Sequence, residues 1–184
     1  MQRVGRCVWP VVDEGGQKTV NKASWLVDVG YVVRASDNKF RLDYVETENF
    51  LAERCGQVRS FVFNGFDPAY GIPRGLRAFY DAMKRVGMEV RLQPMQSGPP
   101  GTNRQRRVDV DLTAHVVWQA GLSHVKTLVL TTGDQDFVPA VELVRERFQK
   151  KVVLFTYEAN VHADLIAAVN EWWLFEEHEA RLAR

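Results

Sequence analysis

Five short apolar, β-branched runs recur along this chain, at residues 24–29, 58–64, 88–92, 125–131 and 151–156, and each is separated from the next by a segment that can be helical. That rhythm leaves few folds open. Continuous apolar runs belong to strands buried on both faces, and their alternation with helices builds a parallel sheet covered on both sides. The expected fold is therefore α/β: a three-layer, Rossmann-like arrangement around a central, mostly parallel sheet. Helices are expected at 41–55, 74–86, 108–120 and 137–149, with a last one from about 161 to 184, broken near Trp172. A strand order of 3-2-1-4-5 would bring the ends of the first and fourth strands together at the switch point, where open α/β sheets hold ligands.

With 184 residues and 46% hydrophobic content, the chain can bury a sizeable core without disulfides or a structural metal. Residues 24–184 read as one domain. Residues 1–23 fall outside the alternation and read as an appendage, a hairpin or arm around Asp13-Glu14-Gly15-Gly16. The formal charge is only +1, so a nucleic-acid partner has to be met by a local basic patch. Cys7 and Cys55 lie far apart without metal-ligand spacing, which suits a reducing compartment, and both read as inert thiols. No apolar run approaches a membrane span, and no signal-type region follows the first residues, so a cytoplasmic location with no membrane partner is expected.

The chemistry concentrates in acids. In Thr131-Thr132-Gly133-Asp134-Gln135-Asp136-Phe137-Val138-Pro139, two carboxylates stand where a strand ends and a helix begins. Gly133 is read as supplying backbone freedom there, and Phe137 as anchoring the helix. Asp28 interrupts the apolar run Trp25-Leu26-Val27-Asp28-Val29 at the matching position of the first strand, where burial without a partner is costly. Asp109 and Asp111 open the helix that leads into the fourth strand, in a first turn where the helix dipole favours acids. If the sheet is wound as expected, Asp28, Asp109, Asp134 and Asp136 meet at one rim, and their repulsion calls for a cation. All-oxygen ligation without cysteine or histidine spacing points to Mg²⁺ or Mn²⁺ rather than zinc or copper. Phosphodiester hydrolysis follows as the reaction class, because such an ion lowers the pKa of a bound water and stabilises a leaving oxygen.

Three segments together resemble the NYN domains, and within them the LabA-like group of the PIN-like ribonuclease superfamily: Val27-Asp28-Val29-Gly30-Tyr31, Gln105-Arg106-Arg107-Val108-Asp109-Val110 and Thr132-Gly133-Asp134-Gln135-Asp136-Phe137-Val138-Pro139. The resemblance spans about residues 24–175 and implies a PIN-like fold with a metal-dependent site that cleaves RNA. It has departures. Tyr31 stands where family members often carry Asn, Arg107 replaces a glycine, and Asn170 replaces a late acid.

Each residue also has a plainer role open to it. Asp134 and Asp136 fit a helix N-cap and turn, with Asp136 as the cap and its neighbour as the ligand. Asp111 reads chiefly as first-turn charge, with a supporting role behind the ligands as the alternative. Arg104, Arg106 and Arg107, following the Gly/Pro-rich 96–103 segment, either grip a phosphate backbone or form a solvated loop. Asn64 starts a turn or points into the cleft. Tyr31, Phe66 and Tyr70 stack on unpaired bases or belong to the core. Thr132 is placed to support the metal site with its hydroxyl. Trp172 and Trp173 close the core or a homodimer contact. Two rival functions stand beside the nuclease: an RNA-binding or regulatory module with little turnover, and an aspartyl phosphotransferase, for which Asp28-Val29-Gly30 lacks the second acid two residues on.

Overall fold

The computed structural model of the protein describes residues 11–12, 18–19, 22–37, 39–95 and 106–184, with the side chains of 11, 12, 18, 19 and 106 excepted. Two short strands, β1 (Val11–Val12) and β2 (Lys18–Thr19), pair antiparallel. The sheet that follows holds β3 (Lys22–Asp28), β4 (Gln57–Phe66), β5 (Glu89–Pro94), β6 (Val125–Thr131), β7 (Lys151–Thr156) and β8 (Glu171–Leu174). All neighbours are parallel, in the order β5-β4-β3-β6-β7-β8. Counted from β3, the order is 3-2-1-4-5-6, the expected sequence extended by one edge strand.

Alternation along the strands divides the core into two layers. Trp25, Val27, Val62, Val129, Val153 and Phe155 face one side, where they pack with α1 (Val29–Ala35), α2 (Tyr44–Cys55), α3 (Arg74–Arg85) and α7 (Glu179–Leu182). Leu26, Phe61, Phe63, Leu128, Leu130, Val152 and Leu154 face the other, against α4 (Arg106–Ala120), α5 (Val138–Glu146) and α6 (Ala163–Ala168). Among the described residues no helix is long and apolar enough to cross a membrane.

Two expectations need correction. A short helix, α1, begins directly after Asp28, where the sequence shows Val29, Val32 and Val33 and so reads as strand and loop. The stretch 161–184 is not one helix: α6 ends at Ala168, β8 runs over Glu171–Leu174, a 3₁₀ turn spans Phe175–His178, and α7 closes the chain. The physical reason lies in the tryptophans. Trp172 packs toward the α4–α6 layer and its neighbour Trp173 toward the α1–α3 layer, which only an extended backbone permits. Asn170 assists by accepting the Val152 N–H at 2.8 Å through Oδ1. Both tryptophans thus pack into the core, one on each face of the sheet.

Candidate functional site

The register that pairs Val27 with Thr131 sets the carboxyl ends of β3 and β6 level, so the residues that follow each strand share one rim. Asp28, the last residue of β3, is only 4% exposed. Its Oδ1 accepts the Tyr31 N–H at 3.1 Å and so caps α1. After β6 the chain turns through Gly133 into a 3₁₀ turn, Gln135–Phe137, capped by Asp134, whose Oδ1 accepts the Asp136 N–H at 2.9 Å. The capping role therefore falls to Asp134, not Asp136. Both acids are exposed, while Phe137 is buried beneath them as expected.

Gly133 is required for a reason other than the one inferred from sequence. Its φ is not among the positive values of the chain. A Cβ there would instead stand 1.9 Å from the Asn160 carbonyl oxygen and 2.7 Å from Cε2 of Tyr31, so the β6 turn and the loop after β7 touch backbone to backbone. The His162 N–H donating to the Gly133 carbonyl at 2.9 Å closes the same contact.

Asp109 enters the rim from the first turn of α4, half-buried. Its pKa is pushed up to about 6, first by burial and then by the negative charges of Asp28, Asp134 and Asp136, with Arg34 opposing. Asp28 is raised as well, chiefly by burial, with Asp134 contributing and the Tyr31 N–H and Arg34 pulling the other way. Acids from β3, α4 and the β6 turn thus feel one another across one rim. Replacing Asp134 or Asp136 by Asn is therefore expected to bring Asp109 down from about 6 toward its ordinary 3.8. Carboxyl ¹³C shifts followed against pH would show it, and an unmoved Asp109 would separate that residue from the rim.

Does this donor set suit a divalent ion? Among the described residues no three acid or imidazole side chains close into a ready-made cage. The donors are all carboxylate oxygens: Asp28 buried at the base, Asp109 half-buried, and Asp134 and Asp136 exposed around them, with burial first and neighbouring acids second raising Asp28 and Asp109. That suits Mg²⁺ or Mn²⁺, which take few protein ligands and keep several waters, better than an ion that demands a full protein cage.

The other sequence candidates are dispersed. Asp111 is engaged by β5 instead of by the acids: Arg91 donates from Nε at 3.3 Å and Nη2 at 3.2 Å, and Gln93 from Nε2 at 2.8 Å. Its supporting role is thus to fasten the first turn of α4 to the sheet. Tyr31 is 1% exposed, and its hydroxyl donates to the carbonyls of Tyr157 at 3.0 Å and Ala159 at 3.1 Å, so no base can stack on it. Asn64 lies within β4, its Nδ2 bonded to the Tyr80 hydroxyl at 2.5 Å and its Oδ1 to the Gly65 N–H, which commits it to structure. Tyr70 is 88% exposed and stays available for stacking. Thr132 is buried, with Oγ1 3.5 Å from the Asp134 nitrogen, beside the acid rather than in the rim. Arg107 is exposed in the first turn of α4, where Arg106 contributes backbone, and Arg104 lies outside the described residues.

One residue escaped sequence reasoning. Arg34, exposed in the last turn of α1, is the cation that acts on both Asp28 and Asp109. The signal was present in Asp28 as an N-cap, since a helix started there carries Arg34 back toward the strand end.

The NYN domain family matches residues 22–173. In fold the chain is similar to the crystal structure of a protein of unknown function from Vibrio parahaemolyticus RIMD 2210633, with a TM-score of 0.71 at 22% identity over 86% of this chain and 94% of that one. No curated protein matches the chain at a significant level.

Proposed function

Because the chain belongs to the NYN domain family, a branch of the PIN-like nuclease superfamily, we propose that it is a metal-dependent ribonuclease of the LabA-like kind, hydrolysing RNA phosphodiesters at Asp28, Asp109, Asp134 and Asp136. What supports this reading is placement: Asp28 and Asp134 follow strands whose carboxyl ends lie level, Asp136 follows in the same turn, and Asp109 opens α4 near enough for their charges to add to the burial that raises its pKa. Asp28, Asp134 and one of the other two acids would hold Mg²⁺ or Mn²⁺, which when bound supplies an acidified water and charge neutralisation at the phosphate. Asp109, raised to about 6 by burial and by its acidic neighbours, is the acid whose charge a bound cation would favour most. Arg34, Arg107 and the arginines before it provide the local positive charge that a near-neutral protein needs to hold an RNA backbone.

Labelled single-stranded and structured RNA incubated with Mg²⁺ or Mn²⁺ tests the assignment. Cleavage by the wild type and its loss in Asp134→Asn are the expected pair; equal activity in both proteins would remove the site. A second reading is favoured by one observation, the lack of a closed three-acid cage among the described residues: an RNA-binding or regulatory protein that keeps the fold and turns over little. Tight RNA binding with no metal-stimulated product would select it.

A further inference from the structure

The carboxyl edge of the sheet is stepped. Asp28 stands in register with Phe63, and β4 then runs on through Asn64, Gly65 and Phe66, paired with β5 as far as Pro94. At about 3.3 Å per residue, those three residues raise a step of roughly 10 Å beside the acids. The step is braced on both faces. Asn64 is tied to the Tyr80 hydroxyl of α3, and the Met95 N–H donates to the Phe66 carbonyl at 2.8 Å. A Cβ on Gly65 would stand 2.7 Å from Cγ of Met95 and 3.5 Å from Cγ2 of Val108, so the step leans on the turn of α4 that carries Asp109.

On top of it sits a loop with an aromatic ring in water. Tyr70 is 88% exposed, so the ring contributes almost nothing to the core. The loop nevertheless holds one shape: the Asp67 carbonyl accepts the Tyr70 and Gly71 N–H groups at 3.2 and 2.8 Å, its Oδ1 accepts the Ala69 N–H at 2.9 Å, and Pro68 and Pro73 stiffen both ends. A ring presented on ordered backbone costs little further entropy to use. Arg74 and Arg77 follow in the first turn of α3, both exposed, with no carboxylate among the described residues within ion-pair distance of either. Arg34 belongs to a helix of the same layer. The opposite flank of the rim carries the opposite sign, with Glu158 and Asp164 exposed in the loop after β7 and the first turn of α6. A polyanion is therefore drawn to the β4 flank and repelled from the β7 flank. Free arginines beside an exposed ring are what an unpaired strand requires, charge for its phosphates and a face for a base; a duplex has already stacked its bases on one another.

We infer that the β4–α3 loop is a docking ledge for unpaired nucleotides: a base stacks on Tyr70, Arg74 and Arg77 hold the adjoining phosphates, and a single-stranded RNA segment reaches the acids from the β4 side. The choice of RNA rests on the nuclease reading, but the test is binding, which needs no turnover. Fluorescence anisotropy of the full chain with a short labelled RNA of unstructured sequence, alone and annealed to its complement, is measured without divalent ions. The single strand is expected to bind more tightly than the duplex. Tyr70→Ala should weaken it by about tenfold without altering the salt dependence, and Tyr70→Phe, which keeps the ring, should bind like the wild type. Arg74→Gln combined with Arg77→Gln should lower the slope of log affinity against log salt by about 1.4, the share of two phosphate contacts on a single strand. Arg147→Gln, which removes an exposed charge at the far end of α5, is the control and should leave the affinity for the strand nearly unchanged. Undiminished binding in Tyr70→Ala, a slope unmoved by the double arginine change, a slope lowered as much by Arg147→Gln, or duplex bound as tightly as single strand would overturn the inference. Ledge variants that bind like the wild type while metal-stimulated product still forms would sink the ledge and spare the nuclease; weakened binding with no product from any variant or the wild type would do the reverse.

Discussion

Asp28→Asn is expected to leave the protein folded, and as stable as the wild type or more so at pH 7, while metal-stimulated RNA cleavage falls by at least about a thousandfold. The split arises because the side chain does two jobs with different needs. As the cap of α1 it only has to accept the Tyr31 N–H through Oδ1, and asparagine caps as well as aspartate. As a ligand in the proposed site it would need its charge. That charge is costly where it stands: burial raises the Asp28 pKa above 3.8 in the fold. A carboxyl whose folded pKa lies above its unfolded value binds its proton more tightly in the native state. Stability therefore falls as pH rises from the unfolded toward the folded pKa, and the full penalty persists above it. Denaturant midpoints at pH 7 and pH 4 should show this dependence in the wild type and a smaller one in Asp28→Asn. A loss of more than about 1 kcal/mol at pH 7, the usual cost of a missing cap, would mean that the charge serves the fold and not a site.

Gly133→Ala is expected to destabilise the protein by about 3 kcal/mol or more, the upper range for overpacking. The new methyl group would meet backbone, the Asn160 carbonyl at 1.9 Å, and the ring of Tyr31 at 2.7 Å. Backbone cannot rotate out of the way as a side-chain tip can. The loop after β7 would have to retreat, breaking the His162-to-Gly133 hydrogen bond and loosening the carbonyls that hold the Tyr31 hydroxyl. Gly75→Ala in α3 is the matched control, with nothing within 4 Å of the added carbon, and should be neutral or gain about 0.5–1 kcal/mol. Urea unfolding of the two variants compares them directly; Gly133→Ala folding as stably as Gly75→Ala would contradict the packing described.

The strands were legible because burial on both faces writes itself as uninterrupted apolar sequence. β6 and β7 begin and end where Val125, Thr131, Lys151 and Thr156 announce them. β8 was not legible: four residues, Glu-Trp-Trp-Leu, show too little alternation to outweigh the helical content around them. α1 was hidden for the opposite reason, since its valines favour strand locally and the helix survives through tertiary packing and the Asp28 cap. In the candidate site, the four acids could be named from position alone, because strand ends and first helical turns are places where a carboxylate is conspicuous. Their shared electrostatics could not, as it depends on the register of β3 against β6. Nor could the engagement of Tyr31, Asn64 and Asp111 by partners that lie far along the chain or in a neighbouring strand.

The central strand β3 is the first of the sheet to be synthesised, yet the neighbour that levels its tip, β6, and the loop that braces Gly133 come more than halfway along the chain. A growing polypeptide on the ribosome therefore carries a solitary aspartate with no companions around it. Under the nuclease reading proposed above, no cutting could begin until β6 and that loop had emerged to complete the rim.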